Sequence, residues 1–313
     1  MKNALTIDLE DYYQVSAFAK GASVDHWEGF TSRIEQNTEK LLSLFEGEKR
    51  KATFFTLGWV ARKYPKLVRQ IIETGHEIAC HSDAHHSVYT LTAEQFREDT
   101  SQAKKSLEDI TGTAILGYRA PSFSITADTL WAFEILADLG FTYDSSIFPI
   151  QHLNYGMPHA PRLPFLIHTN TGPIVEFPMP TLQLGASRAP IAGGAYFRLL
   201  PYWYTSWGIK YLNSAESSPA CIYLHPWELD SEQPRMNGSL TARMRHYFGL
   251  RATEGKFRRL LHDFEFQPMS SFVGDIRDSM KDSQSKAIPE VSLASLRTFL
   301  GKEHRNDSQS PNL

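Results

Sequence analysis

Residues 53–85 read TFFTLGWVARKYPKLVRQIIETGHEIACHSDAH and contain the alternation that decides the fold. The run 53–57 is β-branched or aromatic apart from its final leucine, a composition typical of a short strand. Between 67 and 72 the apolar residues recur at helical spacing, so we predict a helix there. Residues 77–80 form a second predicted strand, which runs directly into His81. This succession of strand, helix and strand indicates a parallel pair of strands.

The same alternation extends along most of the chain. Seven short runs, most of them apolar, are predicted strands: 4–7, 53–57, 77–80, 115–118, 141–143, 174–177 and 221–224. Strands that alternate with helices predict an α/β fold with a mainly parallel sheet. The number of units favours a distorted (β/α) barrel with about seven parallel strands.

The length of 313 residues fits one large domain. We predict that the barrel spans 1–275 and includes an irregular insertion at 150–172, a segment rich in proline, histidine and asparagine. Residues 276–313 are predicted to form a C-terminal extension with a disordered end, because the sequence from about Glu303 is polar.

The composition excludes several classes of protein. With 32 basic and 35 acidic side chains the net charge is −3, which argues against a nucleic-acid binder. The 2 cysteines cannot build a disulfide-rich scaffold or a zinc site made of cysteines alone. Because the chain has 12 histidines, a histidine-based metal site remains open.

The first residues bear on the location of the protein. The apolar run 4–7 is too short for the core of a signal peptide, and no small-residue cleavage site follows it. No stretch of the sequence approaches the eighteen or so apolar residues that a membrane-spanning helix needs. We therefore expect a cytoplasmic protein.

Polar side chains follow several of the predicted strands. Asp8, His81, Arg119, Asp144 and His225 each stand just after an apolar run. In a (β/α) barrel the C-terminal ends of the strands converge on the face where active sites are built. We therefore predict that these side chains meet at one site.

Two histidines at this face have the spacing of metal ligands. His81 and His85 are four residues apart, and on one helical turn their rings would point the same way. His86 could replace His85, although a pair five residues apart diverges more around a helix. A solvated polar loop is the alternative interpretation of this segment.

Three carboxylates, those of Asp8, Glu10 and Asp11, directly follow the first predicted strand. One could bind a metal and another could accept a proton from a water molecule on it. Two histidines and one carboxylate leave coordination positions open, as catalytic sites require. Acidic residues that begin a helix or turn are the alternative.

Arg119 and His225 are candidates for supporting roles. An arginine at this position can pair with a catalytic carboxylate and keep it ionised, and the alternative is a surface salt bridge. A histidine there can act as general acid for a departing amine, and the alternative is a partly buried structural histidine. Arg198 could reach an anionic group of a substrate or pair with an acid.

In combination, four segments resemble the signature of the polysaccharide deacetylases of the NodB-homology type (carbohydrate esterase family 4). They are Thr6-Ile7-Asp8, His81-Ser82-x-x-His85, Arg119-Ala120-Pro121-Ser122 and Leu224-His225-Pro226. The segments 8–15 (DLEDYYQV) and 193–201 (GGAYFRLLP) also resemble a subfamily encoded in exopolysaccharide loci linked to the PEP-CTERM/exosortase system. The resemblance covers about residues 1–270.

The resemblance implies a role for each matching residue. Asp8 corresponds to the general base, and Arg119 to the arginine that holds it. His81 and His85 correspond to the two histidines that bind a divalent metal, most often Zn²⁺. His225 corresponds to the catalytic acid. The implied reaction is N-deacetylation of an N-acetylated polysaccharide or its precursor, with release of acetate.

The sequence departs from the family's pattern at two places. Leu9 occupies the position that usually carries the ligand aspartate, so either Glu10 or Asp11 is expected to be the third metal ligand. The fourth motif usually offers an Asp-Trp pair, for which Asp144-Ser145-Ser146 is only a weak substitute.

The resemblance also bears on substrate and partners. Aromatic side chains near the motifs could stack on sugar rings or pack in the core: Tyr12, Tyr13, Tyr202, Trp203, Tyr204, Trp207 and Trp227. The subfamily implies a place beside exopolysaccharide-assembly machinery at the inner membrane. Two other functions remain open, namely a metal-free cyclic-amide hydrolase like allantoinase and a non-catalytic glycan-binding barrel.

Overall fold

The computed structural model describes residues 1–19, 21–152, 155–191, 193–279 and 289–300. Its strands, in chain order, are β1 (Lys2–Leu9), β2 (Thr53–Thr56), β3 (Glu77–Cys80), β4 (Gly117–Tyr118), β5 (Tyr143–Asp144), β6 (Phe165–His168), β7 (Pro173–Glu176), β8 (Thr181–Leu184), β9 (Ser187–Pro190), β10 (Cys221–Leu224), β11 (Glu265–Gln267) and β12 (Glu290–Ser292). Its helices are α1 (Ile34–Gly47), α2 (Gly58–Lys63), α3 (Pro65–Glu73), α4 (Ala93–Thr111), α5 (Trp131–Asp138), α6 (Gly194–Leu199), α7 (Tyr202–Ala215), α8 (Leu240–Tyr247), α9 (Leu250–Asp263), α10 (Ser270–Ser279) and α11 (Leu293–Leu300). None of these helices is both long enough and apolar enough to cross a membrane.

The main sheet has the strand order β10-β1-β2-β3-β4-β5-β7-β6-β12, and β11 also pairs with β1. All neighbours from β10 to β7 are parallel. Each of the seven predicted strand segments contributes one of these seven strands. The prediction of an α/β fold with a mainly parallel sheet is confirmed.

The predicted barrel does not close among the described residues. The sheet begins at β10 and ends at β12, and no pairing joins these two edges. The physical reason lies beside β7, where β6 runs antiparallel and β12 then pairs with β6. These two strands cover the edge of β7 that a closed barrel would turn towards β10.

The predicted irregular insertion and the predicted C-terminal extension both contribute to this edge. The insertion at 150–172 contains β6, whose first three residues are buried. The part of 276–313 that the structure describes contains β12, with Val291 buried, and Leu296 is buried on α11. The sequence pattern did not reveal these two strands, because β6 lies within a segment rich in proline, histidine and asparagine and β12 has only three residues. Residues 301–313 lie outside the described part of the chain.

Alternation along the strands separates two buried faces of the sheet. Leu5 and Ile7 of β1 pack into the larger apolar cluster, together with helices on the outer side. Ala4 packs on the opposite face with Phe55 and Cys221 of the neighbouring strands. Since side chains alternate along a strand, Asp8 lies on the same face as Ala4. The first carboxylate is therefore directed inward, at the C-terminal end of β1.

A local signal read from the sequence fixes the longest helix. Thr92 and Gln95 form a reciprocal capping box at the start of α4, with backbone-to-side-chain bonds of 3.2 and 2.9 Å. Gly112 ends the helix in the left-handed region at φ 68°. Helix α4 packs against α2, α3 and β3, and this packing holds the C-terminal end of β3 in place.

Candidate active site

Arg119 and Asp8 form a buried ion pair at the centre of the site. The side chain of Arg119 is 0% exposed, and its Nη1 donates to Asp8 Oδ1 at 2.6 Å and to Thr6 Oγ1 at 2.9 Å. Its Nε and Nη2 donate to the carbonyl and hydroxyl oxygens of Ser145 at 3.1 and 2.9 Å. The guanidinium carbon also lies 4.1 Å from the centre of the Phe55 ring. Burial opposes the charge of Arg119, but Asp8 outweighs it and raises the pKa of the guanidinium.

Glu10, His81 and His85 form a cluster suited to a metal ion. One ligand atom from each residue lies within 4.8 Å of the others, and Glu10 Oε2 is 2.8 Å from His85 Nε2. His81 Nδ1 lies 2.8 Å from the carbonyl oxygen of Arg119, which can only accept, so Nδ1 carries the proton. The lone pair of His81 Nε2 is then directed into the cluster, which is the usual arrangement of a metal-bound histidine.

The protonation states of the cluster suit metal binding. Burial raises the pKa of Glu10, but its interactions with His85, His225 and His81 together lower this pKa to about 2. Burial lowers the pKa of His81 to about 4. Near neutral pH the site therefore presents an ionised carboxylate and a neutral imidazole, the forms that bind cations.

The histidine pair is brought together by a loop and not by a helical turn, so that part of the prediction is wrong. Ser82 and His85 have positive φ values of 65° and 57°. The backbone N–H of His85 donates to Ser82 Oγ at 3.0 Å, which holds the reversed backbone. The ring centroids of His81 and His85 are 5.4 Å apart. His86 lies outside the cluster, with its Nδ1 3.7 Å from Asp99 Oδ1.

Asp11, the other candidate for the third ligand, lies outside the cluster. Its carboxylate accepts hydrogen bonds from the backbone of Tyr12 at 2.9 Å, from Ser32 Oγ at 2.7 Å and from the backbone of Arg33 at 2.8 Å. These contacts join the end of β1 to the start of α1. Since both oxygens are occupied by donors, we correct the prediction and retain Glu10 alone as the carboxylate of the cluster.

His225 faces the cluster from the other side of the pocket. Its Nε2 lies 3.2 Å from Glu10 Oε1 and 3.9 Å from Asp8 Oδ2. Its Nδ1 lies 3.1 Å from Glu228 Oε2, which also accepts the His225 backbone N–H at 3.0 Å. Glu228 is fully buried and forms an ion pair with Arg198. Burial lowers the pKa of His225, although Glu10 and Asp8 act in the opposite direction.

Glu228 is not among the site residues predicted from the sequence. A signal was available, because Glu228 stands three residues after His225, at the third position of a short turn, where it can accept the N–H of that residue. Of the two interpretations of Arg198, pairing with an acid is the one that the structure shows. Nothing in the local sequence connects Arg198 with Glu228, since thirty positions separate them.

Asp144, the weak substitute for the fourth motif, is connected to the site through Ser146. It accepts bonds from the backbone N–H and the hydroxyl of Ser146, both at 2.8 Å. The hydroxyl oxygen of Ser146 in turn accepts the backbone N–H of Ala120, beside Arg119, at 2.8 Å. Glu176 pairs with Asp144, and burial raises the pKa of both carboxyl groups, that of Glu176 most strongly. The pair therefore holds one proton between two acids.

Asp8, Glu10, His81, His85 and His225 line an open pocket with a volume of about 350 Å³. Aromatic side chains contribute a large part of its wall: Tyr89, Phe123, Tyr155, Tyr223 and Trp227. Trp227 is the one of the seven aromatic residues singled out from the sequence that lines this pocket. Tyr12 and Tyr13 are core residues instead, and Trp203 and Trp207 are exposed on α7.

Two family models match successive parts of the chain. Residues 24–143 match the model described as polysaccharide deacetylase. Residues 145–274 match a domain of unknown function, DUF3473. The first match contains His81, His85 and Arg119, and the second contains Arg198 and His225 with its partner acid. The pocket is thus built from both matched parts, together with the N-terminal strand.

Curated relatives share part of the chain. A peptidoglycan deacetylase from Helicobacter pylori is 30% identical over 113 residues, which are 36% of this chain and 38% of the relative. A peptidoglycan-N-acetylglucosamine deacetylase from Bacillus cereus is 32% identical over 98 residues, 31% of this chain and 36% of the relative. A chitooligosaccharide deacetylase from Azorhizobium caulinodans is 37% identical over 71 residues, 22% of this chain and 34% of the relative. The matched part spans little more than a third of each of these relatives.

Solved structures share the fold over nearly the whole chain. A provisionally named polysaccharide deacetylase from Mycobacterium smegmatis superposes with a TM-score of 0.59 at 17% identity, covering 93% of this chain and 96% of that one. Puue allantoinase superposes with a TM-score of 0.52 at 16% identity, covering 96% of this chain and 90% of that one. Both likenesses are consistent with a distorted barrel. The first family model and the named relatives together support a polysaccharide deacetylase domain in this chain.

Proposed function

We propose that the protein is a metal-dependent deacetylase that removes N-acetyl groups from a polysaccharide or its precursor and releases acetate. The observation that carries the proposal is the meeting of three groups of residues at one pocket. A metal-type cluster (Glu10, His81 and His85), an arginine-held carboxylate (Asp8) and a carboxylate-held histidine (His225) lie within a few ångströms of one another. Metal-assisted amide hydrolysis needs these three elements.

The residues of the cluster fit a divalent cation. Glu10 Oε2 is buried and receives no hydrogen bond of good geometry from the described residues, so its lone pairs are available. His81 uses Nδ1 on a backbone carbonyl and keeps Nε2 for a ligand. Two nitrogen ligands and one oxygen ligand are a typical donor set of catalytic Zn²⁺, and they leave positions open for water and substrate.

A cation bound there would polarise the acetamide carbonyl and make a water molecule more acidic. Arg119 binds Asp8 Oδ1 and leaves Asp8 Oδ2 to accept a proton from the attacking water. His225 Nε2, on the opposite side, donates a proton to the departing nitrogen. Glu228 accepts the N–H of His225 Nδ1 and so fixes the ring orientation. One amide and one water molecule thus give acetate and a free amine.

For the substrate we propose an N-acetylated glycan of an exopolysaccharide pathway, acted on in the cytoplasm before export. Its support is the resemblance of 8–15 and 193–201 to the exopolysaccharide-locus subfamily. The second segment builds part of the pocket wall, because Gly193 and Gly194 pack against Tyr223. A Cβ added at Gly193 would lie 2.0 Å from that ring, so a larger residue would displace the wall.

The decisive experiment measures acetate release from N-acetylglucosamine oligomers with and without added Zn²⁺. We expect Zn²⁺-dependent release by the natural chain and a loss of about a hundredfold or more in kcat in Asp8→Asn and in His225→Ala. Asp25→Asn, at an exposed position, is the matched control for the first change. Full activity in Asp8→Asn would refute the assigned base, and no release from any N-acetylated glycan would refute the proposal.

The fold shared with an allantoinase motivates a second candidate, a metal-free hydrolase of cyclic amides. The metal-type cluster argues against it, because such a reaction leaves the cluster without a role. Hydrolysis of allantoin that survives complete chelation of metal would establish this second candidate.

A further inference from the structure

Helix α8 and the residue that follows it expose three large apolar side chains. Leu240 is 71% exposed, Met244 is 59% exposed and Phe248 is 62% exposed. A spacing of four residues places Leu240 and Met244 on one side of the helix, and Phe248 continues the row just past its end. Exposed apolar side chains that cluster in this way mark an interaction surface.

The same surface is basic. The segment 233–253 contains four arginines and no acidic residue, whereas the whole chain has a net charge of −3. Arg235, Arg243, Arg245 and Arg251 are all exposed. Positive charge is therefore concentrated where the apolar row is exposed, which predicts an anionic partner with an apolar interior.

The inner side of α8 is attached to the active site. His246 is buried and stacks on Trp227 with ring centroids 4.2 Å apart. Arg198 Nη2 donates to the backbone carbonyl of Arg245 at 2.7 Å. Ala242, Arg245 and His246 line the pocket. The exposed row thus stands at the rim of the pocket that holds the metal-type cluster.

We propose that α8 docks on an anionic membrane surface and places the mouth of the pocket at the lipid headgroups. The apolar row would enter the boundary between headgroups and acyl chains, and the arginines would pair with lipid phosphates. A second copy of this surface is a poor partner, because like charges would face each other. A nucleic acid would pair with the arginines but would leave the apolar row in water.

The docking has a consequence for the substrate, and this step rests on the proposed deacetylase function. A pocket held at the headgroups reaches a glycan that is itself anchored in the membrane. The substrate class would then be an N-acetylated glycan on a lipid carrier.

The test is cosedimentation of the full chain with vesicles of phosphatidylglycerol and phosphatidylcholine (30:70), compared with phosphatidylcholine alone. We expect binding to the anionic vesicles that weakens as salt is added. Arg243→Glu should weaken it by roughly fivefold or more, since one basic residue contributes about that factor at an anionic surface. Leu240→Ser with Phe248→Ser should also weaken it. Arg69→Glu on α3 and Leu116→Ser before β4 are matched controls at exposed positions.

Acetate release from soluble oligomers, measured on the same variants, separates the two proposals. Unchanged acetate release with lost vesicle binding supports docking. Suppose that neither the natural chain nor any variant releases acetate, while vesicle binding is still weakened by the changes in α8. The deacetylase proposal then fails and the docking proposal stands. Equal sedimentation of the natural chain with neutral and anionic vesicles, or of the α8 variants and the natural chain, overturns docking. Docking is also overturned if the natural chain forms an oligomer that the double variant Leu240→Ser with Phe248→Ser dissociates. It is overturned as well if an oligonucleotide competes with the vesicles and abolishes binding to them.

Discussion

The pocket has a first wall with Asp8, Glu10, His81 and His85, and a second wall with Arg198, His225, Trp227 and His246. Each wall is held by a buried arginine paired with a carboxylate, but the two carboxylates have different neighbours. On the first wall Arg119 pairs with Asp8, and the other oxygen of Asp8 faces His225 Nε2 at 3.9 Å. On the second wall Arg198 pairs with Glu228, and the other oxygen of Glu228 accepts from His225. The same kind of ion pair thus fixes the position of a carboxylate on one wall and the orientation of an imidazole ring on the other.

The two walls also match different family models. On the first wall, His81, His85 and Arg119 lie in the part matching the polysaccharide deacetylase model, whereas Asp8 and Glu10 precede it. The second wall lies wholly in the part matching a domain of unknown function. Its chemistry therefore rests on geometry, and the variants below test whether the two ion pairs act as differently as the contacts indicate.

The largest expected effect on stability is that of Arg119→Met. Removing one partner of a buried ion pair leaves Asp8 buried without its counter-charge, which should lower the free energy of unfolding by about 3–5 kcal/mol. Urea unfolding measures this loss, and Arg251→Met at an exposed position is the control. The double variant Asp8→Asn with Arg119→Met should be more stable than Arg119→Met alone. Equal stability of these two variants would show that the pair is not what holds this wall.

A smaller loss of stability and a distinct loss of catalysis are expected of Glu228→Gln. The variant leaves Arg198 without its counter-charge, but Arg198 still donates to the backbone carbonyl oxygens of Arg245 and Phe248. The amide can donate to His225 Nδ1 and so favour the wrong ring tautomer, which should lower kcat by at least about tenfold. Because a merely structural role would leave the pH profile of kcat unchanged, a changed acidic or basic limb identifies the orienting role. Glu232→Gln, exposed and nearby, is the control. The double variant Glu228→Gln with Arg198→Met should regain stability but not kcat. If it regained both, the orienting role of Glu228 would be contradicted.

The smallest expected effect near neutral pH is a loss of stability that begins on acidification and grows as the pH falls, measured on the metal-free chain. Burial lowers the pKa of His81 on the first wall to about 4 and that of His246, stacked on Trp227, to about 3. An unfolded histidine titrates near 6.5, so between about 6.5 and these values the unfolded chain binds more protons. The stability that depends on the neutral forms of both histidines is fully present above about pH 6.5 and is lost as the pH falls towards their lowered pKa values.

His246→Gln should make the free energy of unfolding less dependent on pH below about 6.5, whereas the exposed His26→Gln should not. An unchanged slope in His246→Gln would place the acid sensitivity elsewhere. A reduced slope would show that the second wall contributes to it as the first does.

Much of the first wall could be predicted from the sequence. Apolar runs that end in a single polar residue located the strands, and parallel strands bring such residues to one edge. Asp8 and Arg119 were found in this way because alternation along β1 and the end of β4 fix where their side chains point. The meeting of His81 and His85 was also found, although from a helical turn that the loop does not form.

The rest depended on contacts that the sequence does not encode locally. The choice between Glu10 and Asp11 is made by Ser32 and Arg33, whose donors take the Asp11 carboxylate. The ion pair of Arg198 and Glu228 joins two different segments of the chain. Strand β6 is as long as β3 or β10, but it lies within a segment rich in proline, histidine and asparagine, and β12 has only three residues. Each is a strand because its partner pairs with it.

The position of β1 between β10 and β2 has a consequence for the order in which the protein folds. Residues 4–7 pair with 221–224, although they are separated by most of the chain. Contacts between segments so distant in sequence form slowly, because a long loop must close first. During synthesis β1 emerges first but gains this neighbour only after β10 has left the ribosome. Asp8 and His225 therefore come together in a late step, so a chain that stops before β10 carries the metal-type histidines but no complete active site.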